Sequence, residues 1–338
     1  MGKFRQKKQT VGVIGLAVGL FFSCTNKKQE QYASMSEELV KIYKDIEKNP
    51  RNADLYLELS RYYTDAGQLD SALNNTLVAV RLKPDNSDVY VAVSDVYFAM
   101  EHFDNAEEML KKAITLNAKN NEAYLKLGLL YTTNKEYTLS ENILTKAIRL
   151  QPHNPKAYHI LAWNYRKTGD TASAIRSYLA SADQDPSHFD AYMELGFLYH
   201  CRHNRLAIDY YNNALNIQPD NIQVLYNIAM FYQETNDYER ALEKYRMILQ
   251  IEPNHILALY NMGWIYLVEQ EKFEEAVVFF TKAIEQDNTY AAAVYNRGYC
   301  FEQLKNYDNA RQDYMYSLRL INNYPLAVEG LNRLDKVR

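Results

Sequence analysis

Residues 121–154 read NEAYLKLGLLYTTNKEYTLSENILTKAIRLQPHN, and residues 155–188 read PKAYHILAWNYRKTGDTASAIRSYLASADQDPSH. Laid one over the other, these 34-residue stretches match in kind: Tyr124 over Tyr158, Gly128 over Ala162, Tyr131 over Tyr165, Ser140 over Ala174. Each holds two apolar series at helical spacing, parted by a short polar turn, which predicts a pair of amphipathic helices. A unit of this length cannot bury its own apolar face and must stack on its neighbours.

The same frame runs outward in both directions. Pro50, Pro84, Pro152, Pro155, Pro186, Pro219, Pro253 and Pro325 all fall at junctions of the frame, near multiples of 34 apart. Proline is tolerated between helices or in a first turn and breaks helix interiors, so these residues mark boundaries. Repeats are predicted to start at Ala53, Ser87, Asn121, Pro155, Phe189, Ile222, Ile256 and Ala291. Position eight of the first helix is always small: Ser60, Ser94, Gly128, Ala162, Gly196, Ala229, Gly263 and Gly298. The second helix has a small residue in the matching place, Ala72, Ala106, Ser140, Ala174, Ala207, Ala241, Ala276 and Ala310, and small residues let helices approach closely. The chain holds 30 Tyr, and pairs such as Tyr56 with Tyr63 and Tyr192 with Tyr199 account for many of them as packing around the small positions.

This pattern of small and large positions resembles the tetratricopeptide repeat, over 272 of the 338 residues. The resemblance implies an all-α fold, a right-handed superhelical solenoid of about eight helix pairs at residues 51–324, with capping helices at 36–50 and 325–338. Ser34-Met-Ser-Glu37 reads as a helix start, with Ser34 and Glu37 at the spacing of a capping box, and opens the first cap. The last cap begins like a ninth first helix and turns polar at Asn332, Arg333, Asp335 and Lys336, as the end of a solenoid must. The fifth repeat is one residue short around His203, and the seventh one residue long between Tyr266 and Phe273.

Ahead of the repeats, Lys3, Arg5, Lys7 and Lys8 precede an apolar run from Thr10 to Phe22, the order of an export signal. The run of 13 residues is too short to span about 30 Å of hydrocarbon. Leu20-Phe-Phe-Ser-Cys24 resembles a bacterial lipobox, which implies lipidation of Cys24 and removal of residues 1–23; an ordinary cleaved signal or short anchor is the alternative. Residues 24–35, polar and without periodicity, are expected to form a flexible tether. Some lipoproteins of the Bacteroidetes type bound for the cell surface carry an acidic run just after the Cys. Lys27-Lys28 here favours the outer membrane facing the periplasm. Without residues 1–23 the chain has 34 basic against 42 acidic side chains and no basic stripe, which excludes electrostatic binding to nucleic acid.

In this family the first helices line the concave groove. The resemblance places Lys156, His159, Trp163, Arg166 and Lys167 there as a basic cluster, then Met193, Phe197, Tyr226, Met230, Leu257, Tyr260, Trp264, Leu267, Tyr295 and Tyr299 as an aromatic and apolar stretch. Asn227, Asn261 and Asn296 recur at position six and resemble a ladder that grips a peptide backbone, since an amide both donates and accepts. The sequence has no Gly-rich phosphate loop, nucleophile elbow or zinc-protease helix, and no enzyme, cofactor or metal site is expected. Cys201 and Cys300, 99 residues apart, are not expected to pair. Asp70-Ser71-Ala72 and Asp170-Thr171-Ala172 resemble an O-glycosylation signal. The expected function is an envelope-anchored protein-interaction scaffold that binds a peptide or helix of another envelope protein. A periplasmic chaperone or holdase is the alternative.

Overall fold

The computed structural model describes residues 35–269 and 271–336, and among these there are 18 helices and no strand. Chain contacts divide it into two compact units, one ending at Ala123 and the other beginning at Tyr124.

The first unit contains α1 (Glu37–Lys48), α2 (Ala53–Asp65), α3 (Leu69–Leu82), α4 (Ser87–Ala99) and α5 (Phe103–Leu116). α1 opens at Ser36, whose Oγ accepts from the Leu39 amide at 3.2 Å. Its buried Leu39 and Ile42 lie on Leu59 of α2, covering the first repeat as a lone second helix would. Asn52 and Asn86 cap α2 and α4 by accepting from Asp54 and Asp88 amides. Ala53, Ala79 and Val89 close the junction of the first two repeats under Tyr56 and Leu57. Asn120 caps the third repeat by accepting from the Ala123 amide, and its Nδ2 donates to Ser87 and Asp88.

α6 spans Asn121–Thr133, and the second unit continues with α7 (Tyr137–Leu150), α8 (Pro155–Thr168), α9 (Thr171–Gln184), α10 (Phe189–His200), α11 (Leu206–Ile217) and α12 (Ile222–Glu234). It ends with α13 (Tyr238–Ile251), α14 (Ile256–Val268), α15 (Phe273–Gln286), α16 (Ala291–Gln303), α17 (Tyr307–Leu320) and α18 (Pro325–Lys336). Each residue expected to start a repeat is the first residue of a helix, and consecutive helices pack as pairs.

The small positions are sockets. A Cβ on Gly128 would stand 2.5 Å from Leu144, and one on Gly196 would run into the Tyr211 ring. The fully buried Tyr178, Tyr211, Tyr245, Phe280 and Tyr314 of the second helices fill these sockets, one per repeat from the fourth onward.

Every turn within a repeat has one residue with left-handed backbone. Glycine takes that place at Gly67 and Gly169; elsewhere it is Glu101, Lys135, His203, Asn236, Glu271 or Lys305, with φ between 48° and 63°. The next amide then reaches back to a first-helix carbonyl, as from His102 to Tyr97 at 2.9 Å and from Asn306 to Phe301 at 2.8 Å. In the longer seventh turn the amide of Lys272 reaches Tyr266 at 2.9 Å, one residue further.

Candidate functional site

The residues expected in a groove all lie on first helices of the second unit, at positions two, five, six, nine, twelve and thirteen. Lys156, Lys167 and Phe197 are exposed; Trp163, Met193, Tyr226, Asn227, Met230, Tyr295, Asn296 and Tyr299 are half-buried. Phe197 at 45%, Leu257 at 46% and Val268 at 49% exposure are the large apolar side chains that stand out from these helices into solvent. Cys24 lies outside the described residues.

Several of the expected contacts turn inward. Asn261 is buried, and its Nδ2 donates to Tyr245 Oη at 3.0 Å and Tyr226 Oη at 3.1 Å, so this rung cannot grip a peptide. Asn296 Nδ2 donates to Tyr260 Oη at 3.1 Å, while Asn227 accepts from Gln223 on its own helix. Trp264, expected as an exposed groove ring, packs against two core clusters, one around Tyr245 and Met262 and one around Phe280 and Leu267. Tyr260 is likewise half-buried, its ring 4.8 Å from that of Tyr290.

The expected basic cluster is also reduced. His159 sits against Tyr178 and 4.8 Å from the His188 ring, and its pKa is driven down to about 4, chiefly by burial and then by His188, with Asp190 working weakly the other way. It is therefore neutral near pH 7 and no part of a cationic patch. Arg166 Nε lies 3.3 Å from Glu194 of the next repeat, whose carboxyl burial pushes up against the pull of that guanidinium. Lys156 and Lys167 remain as exposed cations, the latter 5.6 Å above the Trp163 ring.

A recurring arrangement explains these inward contacts. Position twelve of a first helix meets the large ring of its own second helix and a side chain of the next repeat. His200 lies edge-on to Tyr211 and bonds Glu234 at 2.9 Å. Tyr245 donates to Gln233 at 2.8 Å and accepts from Asn261. In the seventh repeat the pair is Leu267 with Phe280, both apolar and buried. Tyr314 donates to Glu302 at 2.5 Å, and Arg333 of α18 grips Glu302 with two bonds of 2.7 Å, holding that carboxyl below its usual range despite burial.

Where the rung is apolar, a pocket of about 500 Å³ opens between α14 and α16. Leu267, Val268, Phe273, Tyr295 and Tyr299 form its walls, with Asn296, Gln303 and Glu271 as polar groups. Leu267, Tyr295, Asn296 and Tyr299 belong to the expected groove. Val268 and Gln303 fall at position thirteen, a lining place of the family, outside the expected set. Glu271 comes from the lengthened turn, whose groove role had no signal beyond that one extra residue.

Among the described residues no helix is long and apolar enough to cross a membrane, and no cluster of three His, Cys, Asp or Glu is placed to hold a metal. Cys201 is exposed and Cys300 buried, both as free thiols.

Comparison with known proteins agrees with this geometry. Residues 94–155 and 161–207 match the family model for the tetratricopeptide repeat, and residues 200–316 match that for the middle TPR-like domain of cilia and flagella-associated protein 70. The C-terminal part of a TPR repeat-containing protein from Cytophaga hutchinsonii has a similar structure, with TM-score 0.63 and 18% identity over 70% of this chain and 98% of that one. Pseudomonas aeruginosa pilF gives TM-score 0.52 and 18% identity over 62% and 96%, and a tetratricopeptide repeat protein from Parabacteroides merdae 0.49 and 17% over 74% and 98%. No curated protein matches the chain. The chain belongs to the tetratricopeptide-repeat proteins, helical scaffolds for protein–protein interaction.

Proposed function

We propose that this chain is a lipid-tethered scaffold of the bacterial cell envelope, facing the periplasm, that holds a peptide or helix of a partner on the first helices of its second unit. The observation that carries the binding is the pocket between α14 and α16, walled by aromatic rings and open beside the exposed Val268. Sites of roughly 300–1,000 Å³ with apolar walls and few polar groups suit the anchoring side chain of a partner. The envelope placement rests on the basic start, the short apolar run and Ser23-Cys24.

A photo-crosslinking residue at position 268, introduced in cells that make the full chain, tests this reading. One partner recovered in stoichiometric yield, and lost when Phe197→Asp is combined with a crosslinker at 268, supports the scaffold. A broad set of sub-stoichiometric adducts would replace it with a chaperone, and no adduct at all would remove the pocket as the binding site.

A further inference from the structure

Resting on the scaffold reading, the chemistry of the pocket narrows its occupant. We infer that the pocket between the seventh and eighth repeats receives an extended basic peptide, with one apolar side chain between Val268 and Tyr299 and a neighbouring lysine or arginine on Glu271.

The apolar share follows from the walls, and the rings are already set in place. Tyr295 is held between Tyr314 and Tyr324, each 5.6 Å away centroid to centroid, and Tyr299 lies under the Arg333 guanidinium at 5.7 Å. A peptide that enters finds walls that need little ordering, which lowers the cost of binding.

The basic share follows from charge. Glu271 is the one charged side chain among the described residues that line the pocket. Lys272, next in the chain, and Arg333, over the Tyr299 ring, are engaged elsewhere. Lys272 sits 5.9 Å over the Tyr266 ring, lining a different hollow with Glu239 and Arg246, and Arg333 is clamped to Glu302. The same turn and helix start add Glu269, Glu274 and Glu275, all exposed. An acidic peptide would bring carboxylates beside this group, and like-charge juxtaposition suppresses a partner strongly.

The repeat pattern supplies a clean variant. The left-handed place held by Glu271 is held by Lys135 and Lys305 in the third and eighth repeats, so Glu271→Lys keeps a backbone that lysine already adopts in this fold. Three fluorescein-labelled peptides in a Gly-Ser background, centred on Leu-Lys-Lys, Leu-Glu-Glu and Gly-Lys-Lys, are titrated with the full chain by fluorescence anisotropy. Leu-Lys-Lys is expected to bind about tenfold or more tighter than the other two, less so as salt is raised. Glu271→Lys should remove that preference, Val268→Asp should weaken Leu-Lys-Lys about tenfold, and Glu285→Lys, an exposed reversal along α15, should change neither.

Equal binding of Leu-Glu-Glu, or a preference that survives Glu271→Lys, overturns the basic peptide. If no peptide binds while the position-268 crosslink to one partner still forms in cells, the basic peptide falls and the scaffold stands. If both fail, both fall.

Discussion

The side-chain amide of Asn261 donates to the phenol oxygen of Tyr245 at 3.0 Å, so an asparagine placed where a partner's backbone could be gripped instead ties the seventh repeat to the sixth. Asn261→Ala leaves the buried Tyr245 hydroxyl without that donor and is expected to cost about 1–3 kcal/mol in chemical denaturation. Asn227, which accepts from Gln223 on its own helix, should tolerate Ala within about 0.5 kcal/mol. Equal losses at the two sites would show that the ladder is not internal.

Gly196 faces the Tyr211 ring with no room for a methyl group. Gly196→Ala is expected to lower stability by about 1–3 kcal/mol, because either the ring or the helix must shift. The paired change Gly196→Ala with Tyr211→Leu should recover part of that loss, which thermal melting by circular dichroism would read directly.

Lys135 and Lys305 occupy left-handed backbone at φ 63° and 58°, a conformation that costs a residue with a Cβ about 1–2 kcal/mol. Lys135→Gly and Lys305→Gly should each raise stability by about 0.5–1 kcal/mol after the entropy of glycine is set against the relief. The two sites are far apart in sequence and share no partner, so the gains are expected to add.

His159 links stability to pH. Its folded pKa of about 4 lies below the value near 6.5 of an unfolded histidine, so between these values the unfolded chain takes up a proton that the folded chain refuses. Its contribution is complete above pH 6.5 and is lost as pH falls toward 4, by up to about 3 kcal/mol. Urea midpoints at pH 7.5 and pH 5 should differ less in His159→Phe than in the unaltered chain.

Cys24→Ser is expected to move the protein out of the membrane fraction and to end incorporation of labelled palmitate, if lipidation of Cys24 is the tether. Unchanged fractionation would leave only a cleaved signal or a short anchor.

Much of the fold was legible because proline and small residues recur at a fixed interval, and both report directly on backbone. Pro155 begins a helix and Gly128 and Gly196 mark contacts, while the first helix is capped by Ser36, within the expected Ser34-to-Glu37 start but not in the Ser34–Glu37 spacing of a capping box. The site was less legible for a physical reason. Periodicity assigns Asn261, Trp264 and His159 to a helix face, but whether that face meets solvent depends on how far the next repeat leans over it. Tyr226 and Tyr245 cover Asn261, and no spacing within one repeat could show that. Val268 and Gln303 were within reach, since position thirteen is a lining place of the family, whereas Glu271 depended on the shape of a turn.

The chemistry that joins neighbouring repeats in the second unit changes along the stack: Arg166 with Glu194, His200 with Glu234, then an asparagine–tyrosine bond used twice, Asn261 with Tyr226 and Asn296 with Tyr260, and last Glu302 with Arg333. A chain of near-copies faces a hazard during folding, because any first helix has the small and large positions to dock on any second helix. Private polar pairs answer it. A fourth repeat that skipped ahead and met the sixth would set Arg166 against Asn227, leaving Glu194 half-buried and without its cation. Apolar packing makes the modules alike enough to stack, and the polar pairs tell most of them apart, so exchanging the fourth and sixth repeats should misfold the chain even though each would fit the frame.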